Sequence, residues 1–183
     1  MIITPLPISG LYQVQSEPFR DARGQFARLF CLRELSETGL EMNVVQINHS
    51  STKSVGTVRG MHFQQYPCAE KKIVRCLAGR CFDVAVDLRP DSKTYLKWFG
   101  TVLSPDNNKA LYIPEGFAHG FQALAPDTEM LYLHSEYYSP EREEGVRHDD
   151  PVVKIEWPLP PGDVSQRDMQ HPLIDDTFSG VNV

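Results

Sequence analysis

Apolar and polar residues alternate with a period near two over most of the chain, in short runs that turn-forming residues cut apart. That period puts successive side chains on opposite faces of a strand. Residues 1–15, punctuated by Pro and Gly with Leu11, Tyr12 and Val14 alternating, predict an early edge strand. A turn follows at 21–24, where Asp21 and Gly24 favour turn geometry, and a strand resumes over 25–29. Residues 31–40 space their apolar positions near 3.6 and predict a short helix that Gly39 stops. A short strand at 44–48 leads into a polar loop at 49–54.

Residues 73–77 and 81–88, joined by Ala78, Gly79 and Arg80, predict a hairpin. In its second arm Phe82, Val84 and Val86 alternate with Cys81, Asp83, Ala85 and Asp87, the pattern of a half-buried strand. Strands at 98–103, 111–113, 118–123 and 129–135 complete the set, with turns at 89–92 and 105–108. From Tyr138 onward proline recurs and the period fades. This part predicts a tail that wraps the sheets, with a short helix near 165–170. Many short strands between Gly, Pro and Asp turns predict an all-β sandwich or barrel. A dinucleotide-binding fold is not supported, for there is neither βαβ alternation nor a Gly-rich phosphate loop.

Composition narrows the function classes. The 183 residues, 41% of them apolar, suit one domain with a sizeable core. A net charge of −6 argues against a general nucleic-acid binder and leaves room for a local basic pocket around one phosphorylated small molecule. The N-terminus lacks the basic and apolar regions of a signal peptide, and no run approaches the apolar length of a membrane span. The four cysteines form no CxxC pair. They read as free thiols of a reducing cytoplasm, with a Cys76–Cys81 cross-strand disulfide as the geometric alternative.

The chemistry concentrates in residues 58–72, VRGMHFQQYPCAEKK, which hold Arg59, His62 and Lys72 just before a run of strand formers. Later comes PEGFAH, with Pro114, Gly116 and His119. A His on one strand and PxGxxH on a later one resemble the two half-motifs of the cupin jelly roll. Metal-binding cupins carry a second His where Gln64 stands, and no Glu follows at the expected offset. Two imidazoles fall short of the usual three protein ligands, so the reading is a cupin barrel with no metal. Taken singly, the residues also fit plainer roles. His119 fits a packed histidine beside a turn, and Tyr132, between Leu131 and Leu133, a packed strand aromatic. Asp168 fits a surface carboxylate at a helix turn, and Lys72 a solvated cation.

In combination the motifs say more. RGMHFQ at 59–64, KIVR at 72–75, FDVAVD at 82–87, PEGFAHGF at 114–121 and YYSP at 137–140 occur in this order. Together they resemble the dTDP-4-dehydrorhamnose 3,5-epimerase family, over most of the chain. The resemblance implies one cupin-type jelly-roll epimerase domain over residues 1–183, with a C-terminal wrapping tail. It also implies a cytoplasmic homodimer whose N-terminal strand is exchanged into the partner's nucleotide site. It makes His62 the catalytic base, Asp168 the carboxylate paired with it, Tyr132 the acid on the other face of the sugar, and Lys72 the cation near the ketone oxygen. Arg59 and His119 would line the site near substrate oxygens and phosphates. Arg23, Gln46, Asn48, Tyr138, Glu143 and Arg167 would contact the nucleotide sugar.

Four positions depart from the family pattern. Arg28 stands where a Glu meets the nucleobase, and a guanidinium can only donate where a carboxylate accepts. Leu133 replaces a Lys, and His148 with Asp149 replaces a Trp-Asn pair.

The residue types suit the implied chemistry. A 4-keto sugar has acidic protons on the carbons flanking its carbonyl, and His is the natural base near neutrality. The enolate needs a cation or donor, inversion needs an acid on the other face, and diphosphate suits Arg. No cofactor is required, because the electrons stay in the sugar. The expected reaction is inversion at C3, C5 or both in a nucleotide-linked 4-keto-6-deoxy sugar, of the dTDP-4-dehydro-6-deoxy-D-glucose to dTDP-4-dehydro-L-rhamnose type. The alternatives are a mono-epimerase or keto-isomerase on a related dTDP-, CDP- or GDP-sugar, and a non-catalytic sugar-nucleotide-binding cupin.

Overall fold

The computed structural model describes residues 1–183 and contains thirteen strands and two short helices. The strands are β1 (Ile2–Pro5), β2 (Tyr12–Gln15), β3 (Phe19–Asp21), β4 (Gly24–Phe26), β5 (Gln46–Thr52), β6 (Val58–Gln64) and β7 (Lys72–Ala78). They continue as β8 (Cys81–Asp87), β9 (Trp98–Leu103), β10 (Lys109–Ile113), β11 (Phe117–Ala123), β12 (Thr128–His134) and β13 (Glu143–Gly145). The helices are α1 (Leu32–Ser36) and α2 (Gln166–Met169). Two antiparallel sheets face each other as a jelly-roll sandwich. One has the order β1-β2-β10-β7-β12-β5, the other β13-β6-β11-β8-β9, and β3 with β4 forms a separate hairpin.

The period of two sorts side chains into three apolar layers. Between the sheets, Val74, Cys76, Leu111 and Met130 meet Ala85, Leu103, Phe117 and Phe121. Outside the six-stranded sheet, Ile73, Tyr112 and Leu133 are covered by Leu35, Leu40 and Met42 from the α1 segment. Outside the five-stranded sheet, Val84, Val86 and Ala118 are covered by Val153, Ile174 and Val181 of the C-terminal tail. Residues of the C-terminal segment thus cover the outer face of this sheet, and α2 falls within the expected stretch.

Several local expectations are corrected. The chain through Ala78, Gly79 and Arg80 is an arch rather than a hairpin, because β7 pairs with β10 and β12 while β8 pairs with β11 and β9. Both strands are buried on both faces, as central strands of their own sheets, and they meet across the core. For the same reason β8 is buried along nearly its whole length, not half-buried. The polar stretch at 49–54 is strand as far as Thr52, with His49 opposite Leu131 and Thr52 opposite Thr128. It is polar because β5 is an edge strand beside a cleft. Residues 1–15 give two strands, β1 and β2, of which β1 is the edge. The strand expected at 25–29 ends at Phe26, and the helix expected at 31–40 is only Leu32–Ser36. Gly39 does stop it, at φ +80°, with the Leu40 N–H donating back to the Leu35 carbonyl at 3.1 Å. All four cysteines are free thiols.

One close approach positions the site. Strands β6 and β11 run together so tightly that a Cβ on Gly120 would lie 2.6 Å from the Arg59 carbonyl oxygen and from the Met61 sulfur. Gly120→Ala should therefore lower stability by about 1–3 kcal/mol through forced displacement of β6. Chemical denaturation reads this directly, and an unchanged midpoint would mean that β6 yields freely.

Candidate active site

A cleft of about 860 Å³ opens at one end of the sandwich. Its walls come from both sheets: β6 and β11 on one side, β5, β7 and β12 on the other, with β13 and α2 at the rim. His62 and His119 are directly opposed residues on neighbouring strands, which is how the two half-motifs meet.

His62 Nε2 lies 2.9 Å from Asp168 Oδ1. Asp168 Oδ2 accepts the Gly60 N–H at 3.1 Å, and the Asp168 N–H donates to the N-capping Ser165 Oγ at 3.0 Å. Burial alone would raise the Asp168 carboxyl. The His62 hydrogen bond, the Gly60 N–H and the His62 charge outweigh it and hold the group at about 2. Asp168 is therefore ionised at neutral pH and keeps a hydrogen on Nε2, leaving His62 Nδ1 as the nitrogen with a free lone pair. The plainer reading of Asp168 as a surface carboxylate fails, since it is buried.

A pH effect on stability follows. The folded value is below the ordinary 3.8, so the stabilisation is fully present above pH 4 and is lost as pH falls toward 2. Asp168→Asn should cost on the order of 2 kcal/mol at pH 7, with the gap to the unaltered protein closing below pH 3. Denaturation curves at the two pH values check it; a gap that does not change with pH would mean that the loss is not ionic.

Tyr132 projects from β12 into the cleft, while Leu131 and Leu133 on either side pack in the outer layer. The departure at Leu133 is thus remote from the cleft. The Tyr132 hydroxyl lies 3.0 Å from Ser50 Oγ, its ring stands edge-on to His119 and stacks on His134, and burial pushes its phenol well up. It remains a protonated donor at any physiological pH. His119 Nε2 meets Asp83 Oδ2 at 2.9 Å, and complete burial raises the Asp83 carboxyl in spite of that partner. Lys72 is buried, not solvated, with Nζ 3.0 Å from Glu70 Oε1.

The other expected contacts divide. Asn48, Arg59, Tyr138, Glu143 and Arg167 line the cleft. Arg59 is braced by Thr52 Oγ1 at 2.9 Å, and Glu143 accepts from both Arg167 and the Tyr138 hydroxyl. Gln46 sits behind the rim, linking the Tyr138 N–H to the Asn48 side chain. Arg23 and Arg28 do not reach this cleft. Arg23, 88% exposed, pairs with Asp21 on the β3–β4 hairpin, and Arg28, 63% exposed, pairs with Glu34. Gln64 points into the protein and ties down the Tyr138 loop, accepting the Ser139 N–H at 2.6 Å and donating to the Tyr137 carbonyl at 3.2 Å.

Four further residues belong to this picture and were not singled out from the sequence: Ser50, Glu70, His134 and His171. Ser50 and His134 lie two residues from Asn48 and Tyr132 on the same strand faces, a signal the period of two contained. His171 lies one helical turn beyond Asp168, edge-on to His62, so that His62, Asp168 and His171 each bring a donor atom within 4.8 Å of the others. Burial lowers the His171 imidazole, so this third ring is neutral. Glu70 carries no local signal at all.

Comparison with known proteins gives a consistent answer. The family model described as dTDP-4-dehydrorhamnose 3,5-epimerase matches residues 5–176. The Salmonella typhimurium protein of that name is 40% identical over 179 residues, covering 96% of each chain. The dTDP-4-dehydrorhamnose 3,5-epimerase of Bacillus anthracis, solved with TDP and PPi bound, superposes with a TM-score of 0.92 at 36% identity, over 94% of this chain and 99% of that one. The dTDP-6-deoxy-D-glucose-3,5-epimerase of Legionella pneumophila, in complex with dTDP-4-keto-L-rhamnose, does so with a TM-score of 0.89 at 36% identity, over 94% and 92%.

Proposed function

Because the chain belongs to the dTDP-4-dehydrorhamnose 3,5-epimerase family, we propose that His62 and Tyr132 carry its reaction from opposite sides of one sugar. The protein is an isomerase: an epimerase of a nucleotide-linked 4-keto-6-deoxy sugar. The observation that carries the division of roles is that His62 comes from the five-stranded sheet and Tyr132 from the six-stranded sheet, both facing the same cleft.

His62 Nδ1 takes the proton from a carbon next to the ketone, and Asp168 steadies the imidazolium that forms. The electron pair moves onto the carbonyl oxygen, where Lys72 supports the enolate charge. Tyr132 returns a proton to the opposite face of the same carbon, which inverts it. Arg59 and Arg167 suit the diphosphate, whose oxygens match a guanidinium fork.

The assembly is a homodimer in this reading. The β3–β4 hairpin leaves the opposed Phe19 and Phe26 exposed, and it carries Arg23 away from its own cleft. Arg23 then serves the nucleotide site of a second copy, and light scattering at twice the chain mass is the expected result. Arg28, exposed and paired with Glu34 just beyond that hairpin, is the residue whose effect on nucleobase choice a comparison of dTDP- with CDP-sugars measures. No helix is long and apolar enough to cross a membrane. We place the reaction in the cytoplasm, where the four free cysteines stay reduced.

Incubation with dTDP-4-keto-6-deoxyglucose in deuterated water tests the function. Deuterium at C3 and C5 marks a double epimerase, and at one carbon a mono-epimerase. Absence of exchange on this and on CDP- and GDP-linked analogues would leave only a binding protein.

A further inference from the structure

The cleft contains a carboxylate that the reaction does not call for. Glu70 lines it with its side chain 8% exposed, in a site meant for a diphosphate and a developing oxyanion. An unpaired carboxylate there would repel both. Neither oxygen of Glu70 is unpaired, however. Oε1 accepts from Lys72 Nζ at 3.0 Å, and Oε2 faces His134 Nδ1 at 2.5 Å. His134 is itself anchored. Its ring stacks on Tyr132 with centroids 6.1 Å apart, and its Nε2 lies 3.3 Å from the side-chain nitrogen of Asn48. The two ring nitrogens thus face Asn48 and Glu70, and the Nδ1 hydrogen is donated to the Glu70 carboxylate, which can only accept.

We propose that Glu70 is the positioning residue for Lys72, and that His134 is the strut holding Glu70 in place. The inference rests on the reading of Lys72 as the cation at the ketone oxygen. A lysine ammonium is a point charge on a flexible four-carbon stem. It stabilises an enolate only if it is held where the oxygen charge develops. The Lys72 backbone is fixed at the start of β7, opposite Ile113 and His134, but the ladder does not fix its ammonium. Glu70 takes one of the three ammonium hydrogens and leaves the others for the cleft. Glu70 lies outside any strand, so its own side chain needs an anchor, and His134 supplies one from β12.

Two other roles for Glu70 compete with this one. As a proton acceptor it is poorly suited. Burial would raise its carboxyl, but the His134 hydrogen bond and the Lys72 charge prevail and hold it below the usual range. As a purely structural ion pair it would add little, since desolvation offsets most of the attraction in a buried pair. The experiment must therefore separate position from stability.

Glu70→Ala and Glu70→Gln in the full chain do so. With dTDP-4-keto-6-deoxyglucose, Glu70→Ala should lower kcat by about 10²-fold with KM within about threefold of the unaltered protein. Glu70→Gln keeps an oxygen toward Lys72 and should recover kcat to within about tenfold. A second readout needs no substrate. In reductive methylation read by peptide mass spectrometry, Lys72 should react at least about fivefold faster, relative to Lys71, once Glu70 is alanine. Unchanged Lys72 reactivity overturns the proposal, as does a folded Glu70→Ala with unaltered kcat or a loss confined to KM. If Lys72 reactivity changes as stated but the unaltered protein inverts no 4-keto sugar, the epimerase reading fails and the positioning of Lys72 stands.

Discussion

His62→Ala should abolish deuterium exchange at both C3 and C5, a loss of roughly 10³- to 10⁴-fold. The cleft offers no equally exposed substitute base. His134 has both nitrogens engaged, by Glu70 and Asn48, and His119, paired with Asp83 as His62 is with Asp168, has a side chain only 6% exposed against 29% for His62. The ring removed is only partly buried, so the fold should survive, and affinity for dTDP should stay within about threefold because the diphosphate contacts are untouched. Exchange rates by NMR and dTDP affinity by calorimetry give the two numbers. Residual exchange at one carbon alone would mean that a second base serves that carbon, and His119, paired with Asp83 as His62 is with Asp168, would be that base.

Tyr132→Phe separates the two halves of the reaction. Abstraction by His62 needs no phenol, so washout of the substrate proton should persist within about tenfold of the unaltered protein. Inversion should fall by about 10²-fold or more, because the opposite face of the enolate then has no donor. The substitution is nearly isosteric: the stack on His134 and the edge contact with His119 are kept, and only the hydroxyl facing Ser50 at 3.0 Å is lost. The outcome is read by comparing deuterium incorporation with formation of the inverted sugar. Equal loss of both would mean that Tyr132 acts in abstraction as well, and the one-base, one-acid division would be wrong.

Much of the site is legible along the chain because its residues sit in order-preserving motifs. His62 and Lys72 fall in one stretch, and His119 in a second that also contains the turn residues placing it. Tyr132 and Asp168 are different. Tyr132 has the same neighbours that a core aromatic would have, and only the cover of Leu35, Leu40 and Met42 over Leu133 fixes which face of β12 turns to the cleft. Asp168 is selected by resemblance, and its pairing spans more than a hundred residues of chain. Glu70 was invisible for a related reason: a single Glu outside a strand has no period, and its significance comes from partners on β7 and β12.

The sequence by itself determined the core strands between 73 and 135, the turns, the helix stop at Gly39 and the chemical types available, because these follow from local backbone preferences and from the period of a pleated strand. It did not determine that β7 and β8 lie in different sheets, or that the polar residues of β5 form a cleft wall and not a loop. A strand–turn–strand pattern is common to a hairpin and an arch, and apolar burial is non-directional, so only the whole set of strand pairings selects between them. Once those pairings are made, β6 and β12 face each other across one cleft. A histidine, a tyrosine and a braced lysine, scattered through seventy positions of sequence, then surround a single small molecule.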